Sequence, residues 1–280
     1  VSAVIINGKE MASELADLQT QKVLQLQDKG VQPCLAVILA GEDPASQVYV
    51  RNKEKACQRI GISSRVIRMP KDVSREVLIA CIDELNGDDS VHGVLVQLPL
   101  PSHLDAQEAL LRVSADKDVD GFHLMNAGYL FTGAPRVLPC TAAGILYMLK
   151  KEGIQLDGAH AVVIGRSNIV GKPAAMLLLQ ENCTVTVCHS HTRRLKDITL
   201  QADILIAAVG RPGFITADMV RPGAAVIDVG INRVEGRLCG DVDFRTVSET
   251  AGWITPVPGG VGPMTVAMLM ENTLEAACRA

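Results

Sequence analysis

Residues 160–194, HAVVIGRSNIVGKPAAMLLLQENCTVTVCHSHTRR, decide how the rest of the chain is read. Ala161 to Ile164 is a short apolar run of the kind that forms a strand buried on both faces. A turn bounded by Gly165 and Gly171 follows, then an Ala/Met/Leu-rich helix predicted over Lys172 to Gln180. Pro173 falls in its first turn, where a missing N–H costs nothing. Thr184 to Cys188 is the next β-branched strand. Backbone N–H groups at such a helix start lack partners and carry partial positive charge, which suits a pyrophosphate. Five residues separate the two glycines, so the spacing is not G-x-G-x-x-G. Spacing alone leaves nucleotide binding level with an ordinary strand–helix turn.

The end of the second strand adds chemistry. An NAD site of the common type needs Asp or Glu there to hold the ribose hydroxyls. This chain has His189-Ser190-His191-Thr192-Arg193-Arg194, with no carboxylate. Hydroxyl, imidazole and guanidinium groups suit a 2′-phosphate and point to NADP.

Working outward, the same alternation recurs on the N-terminal side. Strands are predicted at Val4–Ile6, Leu35–Leu39, Val66–Met69 and His92–Val96, and helices at Glu10–Asp28, Ala45–Ile60 and Arg75–Leu85. Alternating strands and helices imply a parallel α/β sheet. Asp43 can cap the second helix with Pro44 in its first position, and Tyr49 and Lys53, four apart, share one face. Gln97 ends the strand from Gly93, and Pro99 and Pro101 stop its continuation. Lys53 and Gln97 therefore fall on the carboxyl edge of the strands, where open α/β sheets bind ligands. A lysine whose charge is disfavoured by burial can exchange protons. Asp116–Gly121, DKDVDG, reads on composition as a solvated turn and lacks the ligands of a calcium loop. The segment from Phe122 to Leu138 is expected to be irregular, a crossing between domains, before a helix at Thr141–Lys151. Two further strands follow, at Asp203–Val209 and Ala224–Val229, and Gly236 marks a hairpin. Thr255–Pro263 is a rigid Pro/Gly loop leading into a last helix, Met264–Cys278. Its successive N–H groups could hold a polar ligand, though a plain linker fits nearly as well.

Composition excludes several classes. With 280 residues, 48% of them hydrophobic, the chain has room for two cores. A net charge of −4 without a basic block, and 3% aromatics, argue against a nucleic-acid surface. No segment reaches the roughly twenty apolar residues of a membrane span, and nothing reads as a signal peptide. The eight cysteines are scattered without a C-x-x-C pair. Cys183 and Cys188 are expected in the core, reduced, in a cytoplasmic protein, and no metal site is expected.

Taken together, the motifs resemble the bifunctional methylenetetrahydrofolate dehydrogenase/cyclohydrolase family. They are Tyr49-Val50-x-x-Lys53 within 45–56, VQLPLP at 96–101, DKDVDGF at 116–122, GRSNIVGKP at 165–173, VIDVGIN at 226–232, GDVDF at 240–244 and TPVPGGVGPMTVAML at 255–269. The match runs almost end to end. It implies two α/β domains with the active site in the cleft between them. One is a folate-binding domain, residues 1–138 completed by helix 264–280; the other is a Rossmann-like NADP domain, residues 139–263. It also implies oxidation of 5,10-methylenetetrahydrofolate to the 5,10-methenyl cation with NADP, then hydrolysis to 10-formyltetrahydrofolate, in a homodimer. By the same resemblance Lys53 transfers the proton of hydrolysis, Gln97 holds Lys53, Tyr49 orients the folate and Asp120 binds the pterin. Leu98, Pro258, Gly259, Gly260, Val261 and Pro263 would line the folate pocket. Gly165, Arg166, Ser167, Ser190, His191, Arg193 and Ile231 would contact the dinucleotide. Two positions depart from the family pattern: Ala142 stands where proline is frequent, and His191 where Arg or Lys is often found. A dehydrogenase without hydrolase activity is opposed by the intact Lys53 set. A nucleotide-binding regulator would bind NADP without turnover.

Overall fold

A computed structural model describes residues 2–279. Eleven strands are described in chain order. They are β1 (Val4–Ile5), β2 (Cys34–Ala40), β3 (Ser63–Met69), β4 (Gly93–Val96), β5 (His160–Ile164), β6 (Thr184–Cys188), β7 (Ile204–Ala207), β8 (Ala225–Asp228), β9 (Asn232–Val234), β10 (Arg237–Cys239) and β11 (Trp253–Ile254). Contacts divide the chain into two compact units. One joins the residues up to Ala12 with Thr141–Thr265, and the other joins Ser13–Cys140 with the residues from Val266 onward.

The second of these units holds a three-stranded parallel sheet in the order β3-β2-β4. Its central strand, CLAVILA, is buried at every position, as a parallel strand covered on both faces must be. The helix Pro44–Ile60 follows it. Asp43 caps this helix, its carboxylate accepting from the Ser46 N–H at 2.7 Å, and Pro44 stands in the first turn. Gly61, at φ +90°, ends it in the left-handed region open to glycine. Ser46, Val50, Cys57 and Ile60 form the buried face, which leaves Tyr49 and Lys53 turned to its side.

The other unit holds a six-stranded parallel sheet in the order β1-β11-β8-β7-β5-β6. Strands β5, β7 and β8 run through its core; of their residues only His160 is not fully buried. Chain order reverses between β5 and β7, because the crossover from β5 leads outward to β6. One rung of the ladder, Cys188–Ile164–Ala207–Asp228, crosses four strands at their carboxyl ends. Everything that leaves these strands emerges at one edge. The hairpin expected at Gly236 is present as β9 and β10, with Glu235 and Gly236 at φ 49° and 80° in its turn.

Three features differ from the sequence-based expectation. The first concerns residues before Ser13, which were expected to lie in the domain 1–138: β1 pairs in parallel with β11, Val4 opposite Trp253 and Ile5 opposite Ile254. The second lies in 122–138, which contains a helix, Leu124–Phe131. Its cap is the His123 imidazole, which accepts from the Met125 N–H at 3.1 Å; histidine is not among the usual capping residues. The third is the last helix, which spans Val261–Arg279 and so takes Val261, Gly262 and Pro263 into its first turn. Proline is tolerated there. No helix of the described residues is long and apolar enough to cross a membrane.

Candidate functional site

In the unit built on β2, the chemistry gathers where the strands end. Lys53 Nζ donates to Gln97 Oε1 at 3.0 Å. The Gln97 amide nitrogen donates to the carbonyl of Leu98 at 2.7 Å, and the Gln97 backbone N–H to Ile38 at 2.9 Å. With its nitrogen engaged by its own neighbour, the amide has one orientation that presents oxygen to the lysine. Tyr49 lies one turn before Lys53 on the same helix, half-buried.

The 116–121 segment is no solvated turn. Gly93 admits it to the side of β4, since a Cβ there would lie 2.6 Å from a Val119 methyl. The Val94 N–H donates to the Lys117 carbonyl at 2.8 Å, and Asp118 stands opposite Val94 in a parallel bridge. Asp118 is 5% exposed. Its carboxylate accepts from the Gly121 N–H at 3.1 Å, the His123 N–H at 2.8 Å and the Asn126 amide at 2.9 Å. Two residues beyond the bridge comes Asp120, as three residues beyond it comes Gln97. Burial pushes the Asp120 carboxyl up to about 6 and the Asp118 charge adds to the rise, while the Lys53 ammonium and the Cys140 thiol pull it down. Composition hid this burial because two of the three donors that satisfy Asp118, His123 and Asn126, lie beyond the 116–121 segment.

Three residues here escaped the sequence reading: Asp118, Cys140 and Asn272. Asn272 sits on the last helix, 5% exposed, and its amide nitrogen donates to the carbonyls of Val119 and Leu138, each at 2.8 Å. Those carbonyls precede Asp120 and Cys140 by one and two residues. The Cys140 thiol donates to the Val119 carbonyl at 3.3 Å. The one available signal was a polar residue on the apolar face of the last helix. Asn272→Leu should leave the Leu138 carbonyl without this donor, at about 1–3 kcal/mol, and the Val119 carbonyl with the weaker Cys140 thiol alone. A denaturant titration in which the variant keeps wild-type stability would remove Asn272 from this role.

In the unit built on β5, Gly165 turns at φ +129°, and a Cβ on it would lie 2.3 Å from the Ala208 carbonyl. A Cβ on Gly171 would lie 2.2 Å from the Gly165 carbonyl. Both glycines are thus demanded by close backbone approach. The Ser167 hydroxyl closes the turn, accepting from the N–H groups of Val170 and Gly171 at 3.2 and 3.3 Å. Two N–H groups that a free helix start would offer are therefore already taken. Arg166, Ser190, His191 and Arg193 are exposed beside this turn and beyond β6. Arg194 is engaged by Asp197 at 2.5 Å. His191 donates its backbone N–H to His189 Nδ1 at 3.2 Å, and the two rings meet edge to face, 6.0 Å apart. Ile231, 48% exposed, emerges from β8 at the same edge. Pro258 is exposed, while Gly260 and Val261 are buried. The Gly259 carbonyl accepts from the Lys9 N–H at 2.9 Å. Among the described residues, no group of three or more His, Cys, Asp or Glu is placed to hold a metal.

A parallel sheet that reverses order beside a glycine turn, with cationic groups and no free carboxylate at the next strand end, defines a Rossmann-like nucleotide-binding protein. Comparison with known proteins agrees. Residues 139–280 match the model of the tetrahydrofolate dehydrogenase/cyclohydrolase NAD(P)-binding domain, and residues 6–120 that of the catalytic domain. The chain belongs to the tetrahydrofolate dehydrogenase/cyclohydrolase family. It is 54% identical to the bifunctional protein FolD of Bacillus cereus (strain AH187) over 99% of this chain and 98% of that one. The bifunctional FolD structure of Campylobacter jejuni superposes with a TM-score of 0.98 at 48% identity, covering 99% of both chains. The Trypanosoma brucei enzyme, solved with NADP cofactor and inhibitor, gives 0.96 at 39% identity over 100% of this chain and 98% of that one.

Proposed function

We propose that this chain is a bifunctional one-carbon folate enzyme. It oxidises 5,10-methylenetetrahydrofolate to the 5,10-methenyl cation with NADP, then hydrolyses that cation to 10-formyltetrahydrofolate. The observation that carries the reading is the Lys53–Gln97 hydrogen bond of 3.0 Å at a strand end, with the perturbed Asp120 carboxyl as electrostatic neighbour. A lysine nitrogen held by one amide oxygen has its remaining positions directed, an N–H in the ammonium form and the lone pair in the amine form, and a proton-transfer group needs that direction.

Lys53 takes the proton from the water that adds to the methenyl carbon and returns one as the ring C–N bond opens. Gln97 keeps the lysine nitrogen in place. Tyr49 and Leu98 bound the space the folate occupies. Asp120 accepts from the amino and ring N–H donors of the pterin. For Pro258, Gly259, Gly260, Val261 and Pro263, the family resemblance supports a folate-contacting role.

The residues around Gly165 fit NADP. The two glycines bring the backbone close at the turn, and the strand end beyond β6 offers Ser190, His191 and Arg193 without a carboxylate to repel a phosphate. When bound, the nicotinamide supplies the hydride acceptor. Gly165, Arg166 and Ser167 hold the pyrophosphate side, and Ile231 gives an apolar contact. A homodimer without nucleic-acid partners, in the cytoplasm, completes the reading; light scattering of the purified chain checks the dimer.

One absorbance assay with methylenetetrahydrofolate and NADP, followed at the wavelengths of reduced cofactor and methenyl product, tests the function. Reduced cofactor and the methenyl signal should rise together, and the methenyl signal should then decay as hydrolysis follows. NADP binding without turnover would leave a regulator instead.

His191 gives a prediction about cofactor choice. It is exposed beyond β6 together with Ser190 and Arg193. His191→Arg, which adds a planar guanidinium suited to a phosphate, should raise the NADP/NAD ratio of kcat/KM, and His191→Ala should lower it. Two variants that keep the wild-type ratio would leave selectivity to Ser190 and Arg193.

A further inference from the structure

Two buried carboxylates lie under the edge that receives the nucleotide, and no step above uses them. Asp241 is fully buried and accepts four hydrogen bonds. They come from the backbone N–H groups of Val209, Gly210 and Arg211 at 2.7, 2.9 and 2.8 Å, and from the Asn232 amide at 2.8 Å. Asp228, 3% exposed, accepts from the N–H groups of Gly230, Asp241 and Val242 at 2.9, 2.8 and 3.0 Å. Its own N–H donates to the Thr255 hydroxyl at 2.8 Å.

The fit is tight on both sides. A Cβ on Gly230 would lie 2.3 Å from an Asp241 carboxylate oxygen, and one on Gly240 would lie 1.8 Å from an Asp228 oxygen. The glycines of VIDVGIN and GDVDF therefore make room for the other motif's aspartate.

Three separate loops are joined in this way: 209–211 after β7, 228–232 after β8, and 240–242 after β10. Two of them leave the rung Ile164–Ala207–Asp228 beside the Gly165 turn. Burying carboxylates is expensive, and loops can satisfy their N–H groups with water or neutral side chains at less cost. What a carboxylate adds is several charge-assisted bonds converging on one point, and so one geometry.

We infer that Asp241 and Asp228 are positioning residues of the nucleotide site, clamping the loops after β7 and β8 so that Ile231 and the Val209–Gly210 backbone meet the cofactor. The inference rests on reading that edge as the NADP site. Hydrolysis of the methenyl cation is a water addition that needs no electron acceptor, so the clamp serves the dehydrogenase step alone.

The test uses the full chain and two variants. In Asp241→Asn, one carboxylate oxygen becomes an NH2 group facing N–H donors. Calorimetric titration with NADP should show binding weakened by on the order of tenfold or more, the scale of a lost charge-assisted hydrogen bond. Methenyltetrahydrofolate hydrolysis without cofactor should stay within about twofold of wild type, a split that general unfolding would not produce. Asn232→Ala removes a single donor, keeps both carboxylates, and should weaken NADP by roughly three- to tenfold. In ligand-free protein it should also speed hydrogen exchange at the 209–211 amides. NADP affinity unchanged in both variants overturns the clamp. If Asp241→Asn does not fold, Asn232→Ala decides. Weaker binding in Asn232→Ala with unaltered exchange at 209–211 assigns Asn232 to direct contact and also overturns it. A wild-type chain that fails to bind NADP sinks the nucleotide-site reading instead.

Discussion

Lys53→Met should abolish hydrolysis of methenyltetrahydrofolate while NADP binding stays intact. Methionine keeps an unbranched apolar stem and removes the only group in the Lys53–Gln97 pair that can carry a proton. A positioned acid–base group is worth roughly 10²–10⁴ in rate, so stopped-flow decay of the methenyl absorbance should slow by that order. The nucleotide residues belong to the other compact unit, and NADP affinity by calorimetry should be unchanged. Lys53→Arg separates charge from proton transfer: guanidinium keeps the positive charge but does not give up its proton in this pH range. If charge near Asp120 were the whole role, the arginine variant would hydrolyse at near wild-type rate. Near-normal hydrolysis in a folded Lys53→Met protein would take Lys53 out of the mechanism.

The methionine variant carries a second, measurable consequence. The Lys53 ammonium is the first of the influences that hold the Asp120 carboxyl down against burial. Without it, Asp120 should titrate above about 6, and folate binding should become more sensitive to acid than in wild type.

The nucleotide half was legible because its signals are local. Three core strands, β5, β7 and β8, are short, largely apolar runs followed within three residues by glycine, and the missing carboxylate after Cys188 is a single reading of six residues. Lys53 and Gln97 were legible for a similar reason: each follows a strand that ends at the ligand edge. β1 was misassigned because a two-residue strand carries almost no pattern, and its partner β11 lies at the far end of the chain. The helix Leu124–Phe131 was missed because it is eight residues long, contains Gly128, and relies on a histidine cap and on Asn126 bonding to Asp118. DKDVDG read as solvated because burial of a carboxylate depends on donors, and these lie at Gly121, His123 and Asn126. Asn272 and the Asp228–Asp241 pair were invisible for the same reason. Single polar residues in apolar segments have no periodicity, and only tertiary structure shows what they hold.

Asp120 separates a role within its own loop from a pterin-binding one through two measurements with opposite pH slopes. Burial raises its carboxyl to about 6 in the folded chain, against about 3.9 for an exposed aspartate. The folded state thus holds the proton more tightly than the unfolded state. The associated stability is fully present below the unfolded value and is lost as pH rises through about 6. Between pH 4 and pH 6, then, the Asp120 contribution to ligand-free stability should grow on acidification, and Asp120→Asn should erase that part of the slope. Folate binding should run the other way. Pterin offers N–H donors, so the ionised carboxylate is the form that binds, and affinity should fall as pH drops through the same window. At neutral pH, Asp120→Ala should weaken folate by roughly 1.5–3 kcal/mol, the range for a hydrogen bond to a charged group. Calorimetric titration across the pH range checks both the size and the slope. An alanine variant with wild-type folate affinity at neutral pH would show that the carboxylate faces its own loop rather than the substrate.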